Sequence, residues 1–123
     1  MLGQAAVKPG ILAQLEAAVL AGLPVNADIA SLPRAVWGNK KYIFESWASK
    51  KLARGRKSWV YLHGECVFEI NANDVKVEEW WCCRRCDAKG RPERLWKAHS
   101  TTAVANHLDK YVSASYYLCP LPN

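Results

Sequence analysis

The sequence lacks an apolar run approaching the ~20 residues that a membrane-spanning helix needs. Its longest candidate, Ala17 to Val25, is bounded by Glu16 and Asn26. Acidic residues are also scarce: 11 Asp+Glu face 17 Lys+Arg, for a formal net charge of +6. No Ser/His/Asp set, paired carboxylates or Gly-rich phosphate loop is present, so the chain reads as a non-enzyme. Its 123 residues suit one small domain with tails and exclude most self-contained enzymes of the larger α/β classes. A targeting leader is not evident either, since Lys8 is the sole early cation, Glu16 breaks the apolar stretch and no Arg precedes Arg34. With 50% hydrophobic and 23% charged residues, wholesale disorder is excluded. The five cysteines are an odd set, and Cys82, Cys83 and Cys86 crowd into one stretch. A secreted disulfide scaffold favours an even, dispersed set, so a reducing compartment and a metal site are the better reading.

The basic excess is local. Residues 34–57 carry Arg34, Lys40, Lys41, Lys50, Lys51, Arg54, Arg56 and Lys57 against Glu45 alone. Residues 58–83 are acidic, with Lys76 against Glu65, Glu69, Asp74, Glu78 and Glu79. Residues 84–97 turn basic again through Arg84, Arg85, Lys89, Arg91, Arg94 and Lys97. One basic block alone is as readily a solvated face as a binding surface. Two blocks flanking a cysteine cluster favour phosphate contact.

Residues 1–38 read as a leader, a loosely attached helix over Ile11 to Ala21 or a disordered tail. Residues 39–57 read as a basic amphipathic helix from Lys41 to Ala53, with Ile43, Phe44 and Trp47 on one face, and a link at Arg54 to Lys57. From Ser58 the pattern turns to strands: Trp59 to Leu62, then Cys66, Phe68 and Ile70 at period two, a turn at Asn71 to Asp74, and Val75 to Cys82. The expected class is α+β, a small antiparallel sheet with Trp59, Phe68 and one of Trp80 or Trp81 inside. A helix capped by Ser100 or Thr101 and running from Ala103 to Tyr111 follows. Residues 113–123 show no helical period and read as an irregular tail.

Cys83-x2-Cys86 at a strand end, with His107 on the next helix, carries the strongest chemical signal. A Cys-x2-Cys turn holds two thiolates ~4 Å apart, two corners of a Zn²⁺ tetrahedron, and a helical histidine supplies a third. In so small a domain such a staple contributes folding energy. Strand alternation points Cys82 to the opposite face, as packing. A histidine one turn after His107 would complete the set, but Lys110, Tyr111 and Val112 stand there. His99, Cys119 or a water are the substitutes, against readings of His99 as a surface residue and Cys119 as a free thiol in the tail. Cys119 qualifies only if the helix ends near Tyr111.

These residues resemble a known family. Lys57-Ser58-Trp59-Val60, His63-Gly64, Trp81-Cys82-Cys83-Arg84-Arg85-Cys86 and Thr101-Thr102-Ala103-Val104-Ala105-Asn106-His107-Leu108 together are similar to the BED-type zinc finger of hAT-superfamily transposases and their fungal relatives. The resemblance covers residues 56–111, with the finger drawn at 58–112. It implies a ββα-like fold, one Zn²⁺ on Cys83, Cys86 and His107, binding to double-stranded DNA and a nuclear location. The family's last ligand falls on Val112, where this sequence departs. The large RNase-H-like catalytic region is missing, so the chain reads as a truncated or mis-spliced transposase fragment.

By zinc-finger geometry the N-terminal half of the helix faces the major groove, with Ser100, Ala103 and Asn106 toward bases. Asn106 suits adenine, and Thr102 a phosphate or a thymine methyl. A solvent-facing Asn106 is an equally simple reading. Arg84, Arg85, Lys89, Arg91, Arg94 and Lys97 would neutralise phosphate nearby, and Lys50, Lys51, Arg54, Arg56 and Lys57 would form a second arm. The competing reading is a degenerate finger serving as a protein-interaction module, with a protein partner or a homodimer. A thiol redox role for Cys83 and Cys86 fits less well, because such pairs sit at helix N-termini in βαβ units.

Overall fold

A computed structural model describes residues 8–23, 28–49, 54–92 and 94–118, the stretch from 111 onward by its backbone alone. Five antiparallel strands run in sequence order: β1 (Ala35–Trp37), β2 (Lys40–Phe44), β3 (Gly64–Ile70), β4 (Lys76–Cys83) and β5 (Leu95–Lys97). Helices α1 (Ile11–Ala21), α2 (Glu45–Ala48), α3 (Arg84–Ala88) and α4 (Thr101–Leu118) complete an α+β fold, as the sequence leads one to expect.

The register sorts the side chains. Ile43, Phe68 and Glu79 line one face in a cross-strand row, and Cys66, Trp81 and Trp96 line the same face in another. Phe44, Val67, Trp80 and Lys97 form a row on the other. The hairpin between β3 and β4 closes at the expected place. Asn71 Oδ1 accepts the Asn73 and Val75 amides at 2.8 and 3.1 Å, and Asp74 takes a left-handed φ of 61°.

Several expectations are corrected. Residues 40–44 are a strand, not the start of a basic helix, because Ile43 and Phe44 bury on opposite faces of the sheet; Glu45–Ala48 turn helical, and residues 50–53 of the expected helix lie outside the described residues. The sheet thus crosses residue 58, the expected start of the finger. Trp59–His63 form a 3-10 turn rather than a strand; Trp59 is 44% exposed, and it is Trp81 that is fully buried. The last helix continues to Leu118, through what reads as an irregular tail.

The leader is part of the core. Ile11, Leu12 and Leu15 of α1 bury against Ala35, Tyr42, Phe44, Val67 and Cys82 on one sheet face. Each such side chain stabilises the fold by about 1.5–3 kcal/mol. The Gln14 amide acts as one more strand partner for the β1 edge: Nε2 donates to the Val36 carbonyl at 3.0 Å, and Oε1 accepts the Val36 amide at 2.9 Å.

What starts α1 lies far away in sequence. Gly10 occupies the N-cap position and has no side chain to receive the free amides of the first turn. The buried Asp87 carboxylate takes that role, accepting the Leu12 amide at 3.0 Å and the Ala13 amide at 3.1 Å. Glycine is required there because a Cβ on residue 10 would sit 2.4 Å from Asp87 Oδ1. A second tie is Arg84, which reaches Glu16 on α1 and Glu65 on β3, both at 2.7 Å.

Asp87→Ala is therefore expected to leave two helix amides unpartnered and to cost about 1–3 kcal/mol in urea unfolding. Gly10→Ala should destabilise in the same assay by pushing the carboxylate off α1. Adding it to Asp87→Ala should cost much less than it does alone, because the clash is gone.

Candidate metal centre

Cys83 ends β4, Cys86 sits within α3, and His107 is the seventh residue of α4. The chain must turn sharply after Cys83 for the second cysteine to come back beside the first, and the single turn of α3 does this. Gly90, with a φ of 79°, then releases the chain toward β5. All three ligand atoms lie within 4.8 Å of one another, and Cys86 Sγ is 3.4 Å from His107 Nε2. Bonds of ~2.3 Å to sulfur and ~2.0–2.1 Å to nitrogen give tetrahedral edges of ~3.5–3.8 Å, so the group can hold a metal ion with little rearrangement.

The surroundings favour this chemistry. Burial lowers the His107 pKa, helped by the Arg94 and Lys110 cations, so its imidazole is neutral near pH 7 and offers a lone pair. Trp96 lies tilted against His107, ring centroids 4.2 Å apart, and Trp81 presents its ring at 6.5 Å. Val60, Val104 and Leu108 close the cluster. Trp81 fits only because residue 64 is glycine: a Cβ there would meet its ring at 2.6 Å. Its indole N–H is buried with no hydrogen-bond partner among the described residues.

Burial pushes the Cys86 thiol up to about 11, with Cys83 beside it adding to the shift and Arg94 and Lys89 opposing it. Metal binding therefore displaces a proton from Cys86 at neutral pH. Cys82, as strand alternation implies, points to the other face, its Sγ 3.8 Å from Asp87 Oδ1, and burial holds its thiol protonated. Cys66 lies outside the group, and burial pushes its thiol up to about 12.

The fourth-ligand expectations fare differently. His99 is not at the centre: its ring meets Glu79 at 3.3 Å and Arg56 at 3.2 Å, and its side chain is 72% exposed. Cys119 lies outside the described residues. The helix does not end near Tyr111, as a returning tail would require; Leu118 is eleven residues beyond His107 on a continuous helix, ~16 Å along its axis. Val112 stands on that same helix.

The cations expected to meet phosphate divide into two sets. Arg56 is spent on Glu45 at 2.7 Å and Glu79 at 3.1 Å, Arg84 on Glu16 and Glu65, and Lys97 on Glu78. Arg85, Lys89, Arg91 and Arg94 lie at the exposed surface around α3 and the approach to β5, whatever partners they have there. Arg54 and Lys57 are exposed as well, whereas Lys50 and Lys51 lie outside the described residues. On α4, Thr102, Ala103 and Asn106 are exposed while Val104, His107 and Leu108 are buried; Ser100, just before the helix, is half-buried and its carbonyl accepts the Val104 amide.

Sequence reasoning missed Asp87, the residue after the second cysteine, and Trp96, which packs on the histidine. A helix opening on glycine was the available signal for the first, since such a helix needs its acceptor from elsewhere. Compared with known proteins, the chain matches no family model, no curated protein and no solved structure.

Native mass spectrometry of the purified chain should show one bound divalent metal ion, lost in Cys86→Ser and in His107→Ala. Because Cys86 must lose a proton and His107 must stay neutral, metal affinity should fall as pH drops from 7.5 to ~5.5. A pH-independent affinity would contradict the assigned ligands.

Proposed function

We propose that this chain is a zinc-stapled module that binds double-stranded DNA, of the BED type and related to the N-terminal region of hAT-superfamily transposases. The observation that carries the reading is the two-sided character of α4. Its buried side presents His107 to the cysteine pair, and its opposite side leaves Thr102, Ala103 and Asn106 in solvent near its N-terminus. A helix held from behind in this way offers its front to a major groove. Two thiolates and an imidazole form the donor set that zinc favours. Zinc would tie the sheet to α4, and Lys89, Arg94 and Lys110 supply positive potential around it. Such a module acts in the nucleus and needs no catalytic group of its own.

The contact set is narrower than the number of basic residues suggests. Arg91 and Arg94 contribute phosphate contacts; Arg56, Arg84 and Lys97 are held by carboxylates of the chain itself. A protein-interaction role is favoured by the 3-10 turn, where Leu62 is 82% exposed beside Trp59.

Duplex binding followed by anisotropy decides between them. Arg91→Ala and Arg94→Ala should each weaken binding to all sequences alike and reduce the salt slope by about one. Asn106→Ala should cost about 1–3 kcal/mol at one base position only. Affinity that does not change between ~50 and 200 mM salt would refute the DNA reading and leave the interaction surface as the function.

A further inference from the structure

The sheet face away from the metal centre carries a second feature that the duplex-binding reading does not use. Helix α1 covers this face over Ala35, Phe44, Val67 and Cys82, with Trp37, Trp80 and Leu95 packed at the margin of that cluster. Beyond its edge lies an open cavity of about 390 Å³, lined by Trp37, Asn39, Lys40, Tyr42, Trp80 and Leu95. Trp37 and Trp80 are half-buried: each packs against the α1 cluster and also lines the cavity. The indole of Trp80 is held in place by a hydrogen bond from Nε1 to Glu69 at 3.0 Å. Each tryptophan has a lysine ammonium over its ring: Lys8 lies 4.8 Å from the Trp37 centroid and Lys97 4.9 Å from that of Trp80.

We infer that this cavity binds one unpaired nucleotide of a single-stranded nucleic acid, its base on Trp37 and Trp80 and its phosphate on Lys8 and Lys40. Flat indole surface at a cavity wall is what a heteroaromatic ring stacks upon, and such stacking tolerates any base. Only an unstacked base shows its ring face; in a duplex the faces are covered by neighbouring pairs. The rim selects for an anion. The nearby carboxylates are already engaged, Glu69 by Lys40 and the Trp80 indole, and Glu78 by Lys97. A methylammonium guest would meet resident ammonium groups over the same rings. An arriving nucleotide instead draws Lys8 from the Trp37 ring and the exposed Lys40 from its 3.8 Å pairing with Glu69 to the phosphate. The cavity uses none of the metal-binding residues, so its occupancy and that of the metal centre are separable.

The test titrates the full chain with three labelled probes: a short oligothymidylate, an abasic strand of equal length and charge, and a duplex. Oligothymidylate should bind about tenfold or more tightly than the abasic strand, and Trp37→Ala should abolish the difference. Lys40→Gln, which removes the ammonium without adding a charge beside Glu69, should weaken both single strands, while metal stoichiometry and duplex affinity stay unchanged in both variants. Equal binding of oligothymidylate and abasic strand would overturn the inference, as would an unchanged preference in Trp37→Ala. Should Asn106→Ala lose duplex binding but keep the base-dependent single-strand binding, the two sites are independent. Failure of duplex binding alone would defeat the duplex reading and leave this one standing.

Discussion

Two pairs of neighbouring residues hold this fold together by pointing in opposite directions. Cys82 and Cys83 are adjacent on a strand, so they leave the sheet on opposite faces. Cys86 and Asp87 are adjacent on one turn of helix, about 100° apart around its axis. The turn follows the strand directly, so the four sort two by two. Cys83 and Cys86 meet His107 on one side; Cys82 and Asp87 meet α1 on the other. The candidate metal-binding turn and the partners of helix α1 therefore share one segment of six residues. Distorting the cysteine pair shifts the carboxylate that starts α1, and freeing α1 removes a constraint on the cysteine pair.

That coupling explains why the candidate ligands were legible in the sequence and the leader was not. Cys83, Cys86 and His107 follow from spacing and element type, and so does the outward turn of Cys82. The Asn71–Asp74 turn is equally local, written in side chains that bond their own backbone. The role of α1 depends on Asp87, 75 positions away, and no local pattern reports a cap supplied at that distance. Strand β2 was misread for a different reason. A strand buried on both faces loses its alternation, and Ile43, Phe44 and Trp47 then fall at helical spacing by coincidence. Trp59-Val60-Tyr61-Leu62 has strand composition, yet Val60 must reach the metal-side cluster while Tyr61 donates its hydroxyl to the Ala98 carbonyl at 2.8 Å, and a 3-10 turn meets both demands.

Net charge also changes meaning once the fold is known. Glu45 is almost wholly buried, and Arg56 is its partner. Breaking such a pair from one side leaves a buried charge and costs about 3–5 kcal/mol, so Arg56 belongs to the structure rather than to a ligand. Lys76 and Lys97 quench Glu79 and Glu78 of the acidic segment, and both carboxyls are held below the usual range by those bonds. The acidic block separating the two basic ones is in this way largely neutralised within the sheet.

Three exposed cations have a second consequence. Arg94 and Lys89 pull the Cys86 thiol toward its thiolate, while Arg94 and Lys110 disfavour protonated His107. Both effects move the ligands toward the forms that bind a metal ion. A divalent ion on two thiolates and an imidazole is formally neutral, so it does not cancel the positive potential of these side chains. The residues that favour metal loading at neutral pH are then the same ones that would attract a polyanion. Were a nucleic acid bound there, phosphate neutralising Arg94 and Lys89 would reduce their hold on the thiolate, and metal affinity is the quantity through which that linkage would be measured.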